Sequence, residues 1–410
     1  MSPSNHHPRD EPLLPARSHS LWEAAPNLPT GHFVSGLVYT DPDVFREELD
    51  TIFTRTWRLA CHESELPEPF DFRVFEHAGK SLFSMRGNDG TIRTFLNVCS
   101  HRGAKLLNEP AGNARHITCF YHHWTYDSRG ACTGIPRVTG YKETVKKSAM
   151  GLCQVRTSTL HGLVFVTLGD NTPSLEEFIG QALDRFAEML GTAPLEVFHY
   201  NRAVLNCNWK AWHETNMDLY HEFMHVVLRK TQMNAMAMED RTLIVFQNGH
   251  GGTGEDMKAS YDGYEGLKGR GNDVPPLPGV GPVDFRFVDL FPSTAIISRG
   301  TVVRIDTATP LSPDKTLLEM RGLGIKGEPD AHRRVRQRHH NQYWGPFGRN
   351  VPEDMFAAET CADSFRNQAG RFQIIARDEN LSGQDDALLR AFYAEWARHT
   401  GRDPGNPLPP

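Results

Sequence analysis

Long apolar runs are missing: no stretch of the 410 residues approaches the roughly 20 consecutive apolar side chains that a bilayer-spanning helix requires, which excludes a transmembrane helix. The opening stretch, MSPSNHHPRDEPLLPARSHS, is polar and proline-rich and lacks the apolar core of a secretory signal. A cytoplasmic protein with a disordered or strand-swapping start is therefore expected. A strong charge of one sign is missing too. With 44 Lys and Arg against 50 Asp and Glu, the net charge of −6 and the pI near 6.4 argue against a general binder of nucleic acid or membrane surfaces. Cysteine is sparse: Cys61, Cys99, Cys119, Cys132, Cys153, Cys207 and Cys361 make an odd number, seven, scattered through a large chain. Reduced thiols, some of them used as ligands, suit that pattern better than a disulfide framework. Internal repeats are absent as well.

What is present is an α+β pattern long enough for two domains. TDPDVFREELDTIFTRTWRLA opens with Asp41 as N-cap and Pro42 at the first helical position, and Phe45, Leu49, Ile52 and Phe53 fall on one face of the helix that follows. From Phe70 to about Leu168, short runs such as SLFSMRG, IRTFLNV, RHITCF and HGLVFVTLG are separated by Gly, Asn and Asp, which predicts a small antiparallel β domain. SLEEFIGQALDRFAEML returns to helical period, and NWKAWHETNMDLYHEFMHVVLRK reads as one long, partly buried helix. Strand-like runs follow in TLIVFQN, VDFRFVDLF, TAIISRG, TVVRIDTATP and TLLEMRGLGI, and three helical segments around DAHRRVRQRHHNQYW, PEDMFAAETCADSF and QDDALLRAFYAEWARHT close the chain. Gly249 to Pro282 is rich in Gly and Pro, the composition of a mobile surface loop or lid. The expected organisation is an N-terminal extension over 1–35, a helix of the larger domain over 36–60, the small β domain over 61–170 and the larger domain over 171–410.

Within the β domain stands CSHRGAKLLNEPAGNARHITCFYHHW. Cys99 and His101 form one pair, Cys119 and His122 a second, with seventeen residues between the pairs. Each pair follows a predicted strand, so two hairpin loops could present four ligands to one site. Two thiolates and two imidazoles fit zinc, or a [2Fe–2S] cluster in which two histidines replace two cysteines on one iron. Ordering decides between them. Zinc fingers pair Cys with Cys and then His with His, whereas each loop here offers one of each, the Rieske arrangement. His123 is the spare histidine.

The stretch DLYHEFMH contains a literal H-E-x-x-H at His221, Glu222 and His225, which on a helix is the zinc-protease pattern. That chemistry would need Glu222 as general base and a third ligand such as Glu239, and it leaves the Cys–His pairs unexplained. Beside an electron-relaying cluster, His221 and His225 read instead as two ligands of a mononuclear Fe(II), whose carboxylate would come from GPFGRNVPEDMFAAE as Asp354 or Glu353. GHGGTG, Gly249 to Gly254, matches a dinucleotide fingerprint, but no apolar helix follows it and Asp262 lies too near to serve as the ribose acid. It reads as a flexible loop. Electrons must then arrive from a partner.

Together, CSHRGA…CFYHHWTYDSRG, NWKAWHETNMDLYH, the GPFG…PED segment and the closing helix resemble the catalytic α subunits of Rieske non-haem iron oxygenases, the aromatic ring-hydroxylating dioxygenase family, over about residues 35 to 400. The resemblance implies a helix-grip-like catalytic domain, α subunits in a head-to-tail trimer often capped by β subunits, and NAD(P)H used only through a reductase, with or without a ferredoxin. It implies further that Asp218 bridges His221 to His122 of the neighbouring subunit and so carries electrons across the interface. Two departures stand out: Glu214 is followed by Thr215 where members commonly have Asn, and the two histidines are four apart where many members have five. The expected reaction is mono- or dioxygenation of a small substrate, an aromatic acid or, alternatively, an alkanesulfonate. Pocket walls are expected from around Trp212, Met217, Phe223, Met224 and FPSTAIISRG, and Arg299 and Arg304 are the cations that could meet an acid or else face solvent.

Overall fold

Residues 18–225, 241–258 and 274–408 are described by the computed structural model of the chain. Asp41 caps the helix Pro42–Glu48 by accepting from the amides of Asp43 and Val44, as its side chain and the following proline dictate. The helix then widens into a π turn, Leu49–Phe53, whose Ile52 and Phe53 are buried. From Arg58 the chain enters a seven-stranded antiparallel sheet, ordered Arg58–His62, Leu163–Thr167, Gln154–Leu160, Ile92–Leu96, Lys80–Arg86, Asp71–His77 and Ala111–Asn113. Its first strand thus starts three residues ahead of the expected boundary at 61. A three-stranded sheet of Ile117–Thr118, Thr125–Tyr126 and Cys132–Gly134 completes this domain.

The larger domain is built on an antiparallel sheet that runs, among the described residues, Leu195–Leu205, Lys315–Ile325, Val302–Ser312, Thr294–Arg299, Asp284–Leu290, Gly251–Thr253 and Leu243–Val245. Every residue of Asp284–Leu290 and Thr294–Arg299 is buried, because helices cover one face and a second apolar cluster the other. The helices Trp209–Met217, Val351–Arg366 and Ala387–Thr400 pack on this sheet and carry the main core with Trp209, Trp212, Phe392 and Trp396.

Several expectations are corrected. The segment 174–190 is two helices, Leu175–Ile179 and Asp184–Gly191, because Gly180 takes φ +53° and breaks the run. The long helix expected through residue 230 ends at Met217. Asp218 is extended, its carboxylate accepting the Tyr220 amide, and the chain continues as a 3-10 turn, Tyr220–Met224. A short acid that offers the backbone a rival hydrogen bond stops the helix there. Residues 226–230, expected to continue the helix, lie outside the described residues. Nor is Gly249 to Pro282 wholly a surface loop. Gly251–Thr253 is a buried strand, and a Cβ on Gly252 would stand 2.5 Å from the Phe287 carbonyl, so the glycines of GHGGTG serve close strand packing. The strand Leu195–Leu205, which pairs along Lys315–Ile325, was not anticipated because its inward and outward residues are mixed in polarity.

Candidate metal centres

The two Cys–His loops share one backbone design. In the first, the Cys99 amide donates to Ala104 and the Gly103 amide to Cys99; in the second, the Cys119 amide donates to Trp124 and the His123 amide to Cys119. Gly103 and His123 occupy the equivalent left-handed position, at φ +74° and +57°. His123 is therefore the residue on which the second loop turns, and its side chain is exposed. Asn97 fixes the first loop by donating to the Leu107 carbonyl and accepting the amides of Leu106 and Leu107.

These loops bring like ligands together. Cys119 lies within hydrogen-bonding reach of Cys99, and the rings of His101 and His122 are 4.5 Å apart. Both Nδ1 atoms are buried without a hydrogen-bond partner. Two orphaned imidazole nitrogens opposite two buried thiols are what a cluster with histidines on one iron and thiolates on the other requires. A single zinc ion would draw all four donors together, yet among the described residues the one set of three or more donors within 4.8 Å of one another lies elsewhere. Burial raises the Cys119 thiol, with Cys99 adding to it, and burial lowers His101, helped by His122. A bound cation would reverse the first effect by holding thiolates. Around the site, Trp124 stacks on His101 at 4.8 Å, the Tyr126 hydroxyl lies 3.2 Å from Cys99 Sγ while accepting the Ser100 amide, and the Tyr141 hydroxyl stands 3.3 Å from His101 Nε2.

The second set is His221, His225 and Asp354. The histidines come from the 3-10 turn rather than one helix face, and Asp354 from the first turn of Val351–Arg366. Asp354 Oδ1 is buried with no hydrogen-bond partner and lies 3.4 Å from Nε2 of both histidines. Neighbouring donors around a cation with bonds of about 2.1 Å stand roughly 3 Å apart, so the three fit one ion. Each histidine turns its other nitrogen toward an acid: His225 Nδ1 to Glu353 at 3.0 Å, His221 Nδ1 to Asp218 at 3.8 Å. Asn350 Nδ2, 3.1 Å from His225 Nε2, donates to it, so the proton of that ring sits on Nδ1 and is donated to Glu353. This tautomer leaves Nε2 facing the centre. Burial would depress His221, but Asp354 and Asp218 together outweigh it and raise the value. Of the two candidate acids, then, Asp354 faces Nε2 of both histidines and Glu353 faces Nδ1 of His225.

A cavity of about 70 Å³ adjoins the triad, walled by Phe285, Phe287, Ile297 and Trp344 and bordered by Thr215 and Asn216. Arg299 and Arg304 also line it, and neither faces solvent as one expectation had it. Arg304 is neutralised by Asp306 at 2.7 Å and donates to Asn216 at 3.1 Å; burial pushes Asp306 up to about 6. Arg299 has no hydrogen-bond or carboxylate partner among the described residues. It rests on the faces of Tyr343 and Phe285, at 4.2 and 5.0 Å, with Nε buried and unpaired. Trp212 and Met217, expected in the wall, are core residues, and Met224 borders a separate, larger cavity beside Asp218. Phe223 has no described side chain. Glu222, the base that a peptidase would need, is tied to Arg241 at 2.6 Å, and Glu239 lies outside the described residues. Sequence reasoning missed Asn350, Tyr126 and Tyr141, which carry no motif of their own.

A β domain that gathers two Cys–His loops, fused to a sheet-and-helix domain that gathers two histidines and a carboxylate, defines a Rieske-type oxygenase. The chain matches the family profiles for the Rieske [2Fe-2S] domain over residues 56–147 and for the ring hydroxylating alpha subunit (catalytic domain) over 193–402. It is 44% identical over 378 residues to the alpha subunit of 2-aminobenzenesulfonate 2,3-dioxygenase of Alcaligenes sp, covering 92% of this chain and 95% of that one. The hydroxylase alpha subunit of methanesulfonate monooxygenase of Methylosulfonomonas methylovora is 39% identical over 407 residues, 96% and 97% of the two chains. The fold is also that of naphthalene 1,2-dioxygenase from Rhodococcus sp., with a TM-score of 0.77 at 22% identity over 90% of this chain and 94% of that one. A quaternary ammonium Rieske monooxygenase shares it likewise, with a TM-score of 0.75 at 21% identity over 92% and 100%. The chain belongs to the α subunits of the Rieske ring-hydroxylating oxygenases, oxidoreductases that incorporate O2.

Proposed function

We propose that this α subunit oxygenates a small organic sulfonate, and the observation that carries the reading is Arg299. A guanidinium buried beside the triad with no counter-ion among the described residues is costly, and a bound anion would remove the cost. The relatives at 44% and 39% identity act, by name, on 2-aminobenzenesulfonate and methanesulfonate. The cavity of about 70 Å³ favours a compact substrate; a cavity holding benzene has about 150 Å³.

Cys99 and Cys119 would hold one iron of the [2Fe–2S] cluster and His101 and His122 the other, while His221, His225 and Asp354 would hold a mononuclear Fe(II). When bound, the cluster supplies one-electron transfer and the mononuclear iron O2 activation. The chain's own residues do the rest. Arg299 fixes the sulfonate, Phe285, Phe287 and Ile297 exclude water from the reacting carbon, and Glu353 holds His225 in its ligating tautomer. Asp218 and His221 both line a wide cavity of about 760 Å³, into which a neighbour's His122 would reach. That supports a head-to-tail homotrimer, with or without β subunits, fed from NAD(P)H by a reductase directly or through a ferredoxin. Seven unpaired cysteines suit the cytoplasm.

The test is anaerobic purification with iron and sulfide analysis, then O2 uptake and 18O2 product labelling with methanesulfonate, 2-aminobenzenesulfonate and anthranilate. Sulfonate-dependent uptake, with one or two labelled atoms in the product, is expected. Uptake with anthranilate alone would transfer Arg299 to a carboxylate and overturn the sulfonate reading.

A further inference from the structure

The two histidines of the cluster site face different surfaces. His122 lies under an apolar tip: Phe120 and Tyr121 are 68% and 55% exposed, and the Tyr121 ring sits 3.8 Å from the His122 ring. His101 instead lies under a strap, residues 137–150, whose Tyr141, Val145 and Met150 pack into the core of the small domain and whose Tyr141 hydroxyl reaches His101 Nε2. With those three turned in, the strap turns Arg137, Lys142, Lys146 and Lys147 out to solvent beside a single acid, Glu143. Arg102 and Lys105 extend the patch from the first cluster loop and are also exposed. None of these six cations has a carboxylate partner among the described residues, whereas Arg129 nearby pairs with Asp89 at 3.5 Å. Residues 99–150 carry eight Lys and Arg against three acids, in a chain whose net charge is −6.

We infer that the strap is the docking face for an acidic, soluble one-electron carrier, which gives up one electron to the cluster site through its His101 edge. The inference rests on the reading of the two loops as a cluster site. Charge and apolarity divide the labour. A lasting contact between copies buries apolar side chains such as Phe120 and Tyr121, while an encounter that must form and break at each electron delivery is steered by unneutralised charge. Tyr141 also couples the strap to the ring it covers, so a carrier seated on Lys142 and Lys146 stands next to a ligand.

The test uses the full-length protein and a purified plant-type ferredoxin, an acidic one-electron donor whose potential lies well below that of a Rieske centre. Reduction of the protein by the ferredoxin is followed by stopped flow across a salt series, and binding by calorimetry at low salt. The variant is Lys142→Glu/Lys146→Glu/Lys147→Glu. The wild-type bimolecular rate should fall as salt rises, and the variant should lose about tenfold or more at low salt together with the salt dependence. Reduction by photoreduced lumiflavin, a small uncharged donor, should stay unchanged, as should oligomer mass. Unaltered ferredoxin rate and binding in the variant would overturn the inference. So would a loss of oligomer mass with ferredoxin binding intact, which would give the strap to a neighbouring copy. A wild-type protein without iron or sulfide would sink the cluster reading instead, and calorimetry would still report on the strap.

Discussion

Arg299 is held by two aromatic rings and, among the described residues, by no carboxylate, which sets opposite signs on stability and binding. Replacing a buried unpaired charge by an apolar side chain of similar reach relieves desolvation, whereas removing one member of a substrate ion pair costs 2–5 kcal/mol, by general experience about 30-fold or more in affinity. Arg299→Leu should therefore raise the melting temperature while raising KM for the sulfonate at least tenfold, with iron content unchanged. A fall in both stability and iron would make Arg299 a structural residue. Tyr126 offers a second single-residue test. Its hydroxyl accepts the Ser100 amide and keeps its proton for Cys99 Sγ, so it would stabilise the more electron-rich, reduced state of a cluster held there. Tyr126→Phe should lower the reduction potential; a differential of about 1 kcal/mol in that bond corresponds to a shift on the order of 40 mV, read by redox titration. At this scale the sequence was legible where spacing repeats. Cys99, His101, Cys119 and His122 stood out because two loops offer the same pair, whereas Asp354 and Glu353 are adjacent acids. Only the fold shows that one faces Nε2 and the other Nδ1 of His225.

Helical period carried the elements well where no side chain competed with the backbone. Asp330–Trp344 and Ala387–Thr400 lie where their patterns place them. It failed at Asp218, where the carboxylate takes the Tyr220 amide and turns the chain out of its helix. The failure is functional in consequence, since a continued helix would carry His221 and His225 on a rigid i, i+4 face, while the turn lets them converge on Asp354. Two substitutions separate the turn from the charge. Asp218→Asn keeps an oxygen for the Tyr220 amide, so it should retain iron yet slow substrate-dependent reoxidation of the cluster by about 10–100-fold in single turnover, the usual scale for a ligand-orienting carboxylate. Asp218→Ala should lose iron as well. Equal iron and equal rates in wild type and Asp218→Asn would leave the acid with the turn alone.

At the scale of the whole chain, the two domains are locked together by buried charge. Glu65 of the small domain accepts from Arg321 of the large sheet at 2.7 Å and is ion-paired with Arg73 at 2.9 Å, and Arg58 reaches across to Glu319 at 3.8 Å. Such a desolvated network breaks only at a cost of several kcal/mol. The small domain is thus not free to swing its two Cys–His loops toward the triad of the same chain, and on the proposed function electrons would reach the triad by the path that assembly provides. This makes subunit mixing decisive. On the proposed function Cys99→Ser would remove a cluster ligand and His221→Ala an iron ligand, and each variant alone should be inactive. In a closed head-to-tail ring, a His221→Ala subunit still donates to a Cys99→Ser neighbour whose iron is intact. Every mixed ring of three chains holds that pairing at one of its three junctions, so co-purified hybrids should recover about a third of wild-type activity. If each chain instead feeds its own iron, every subunit of a hybrid lacks one centre, and activity stays at the level of the parents.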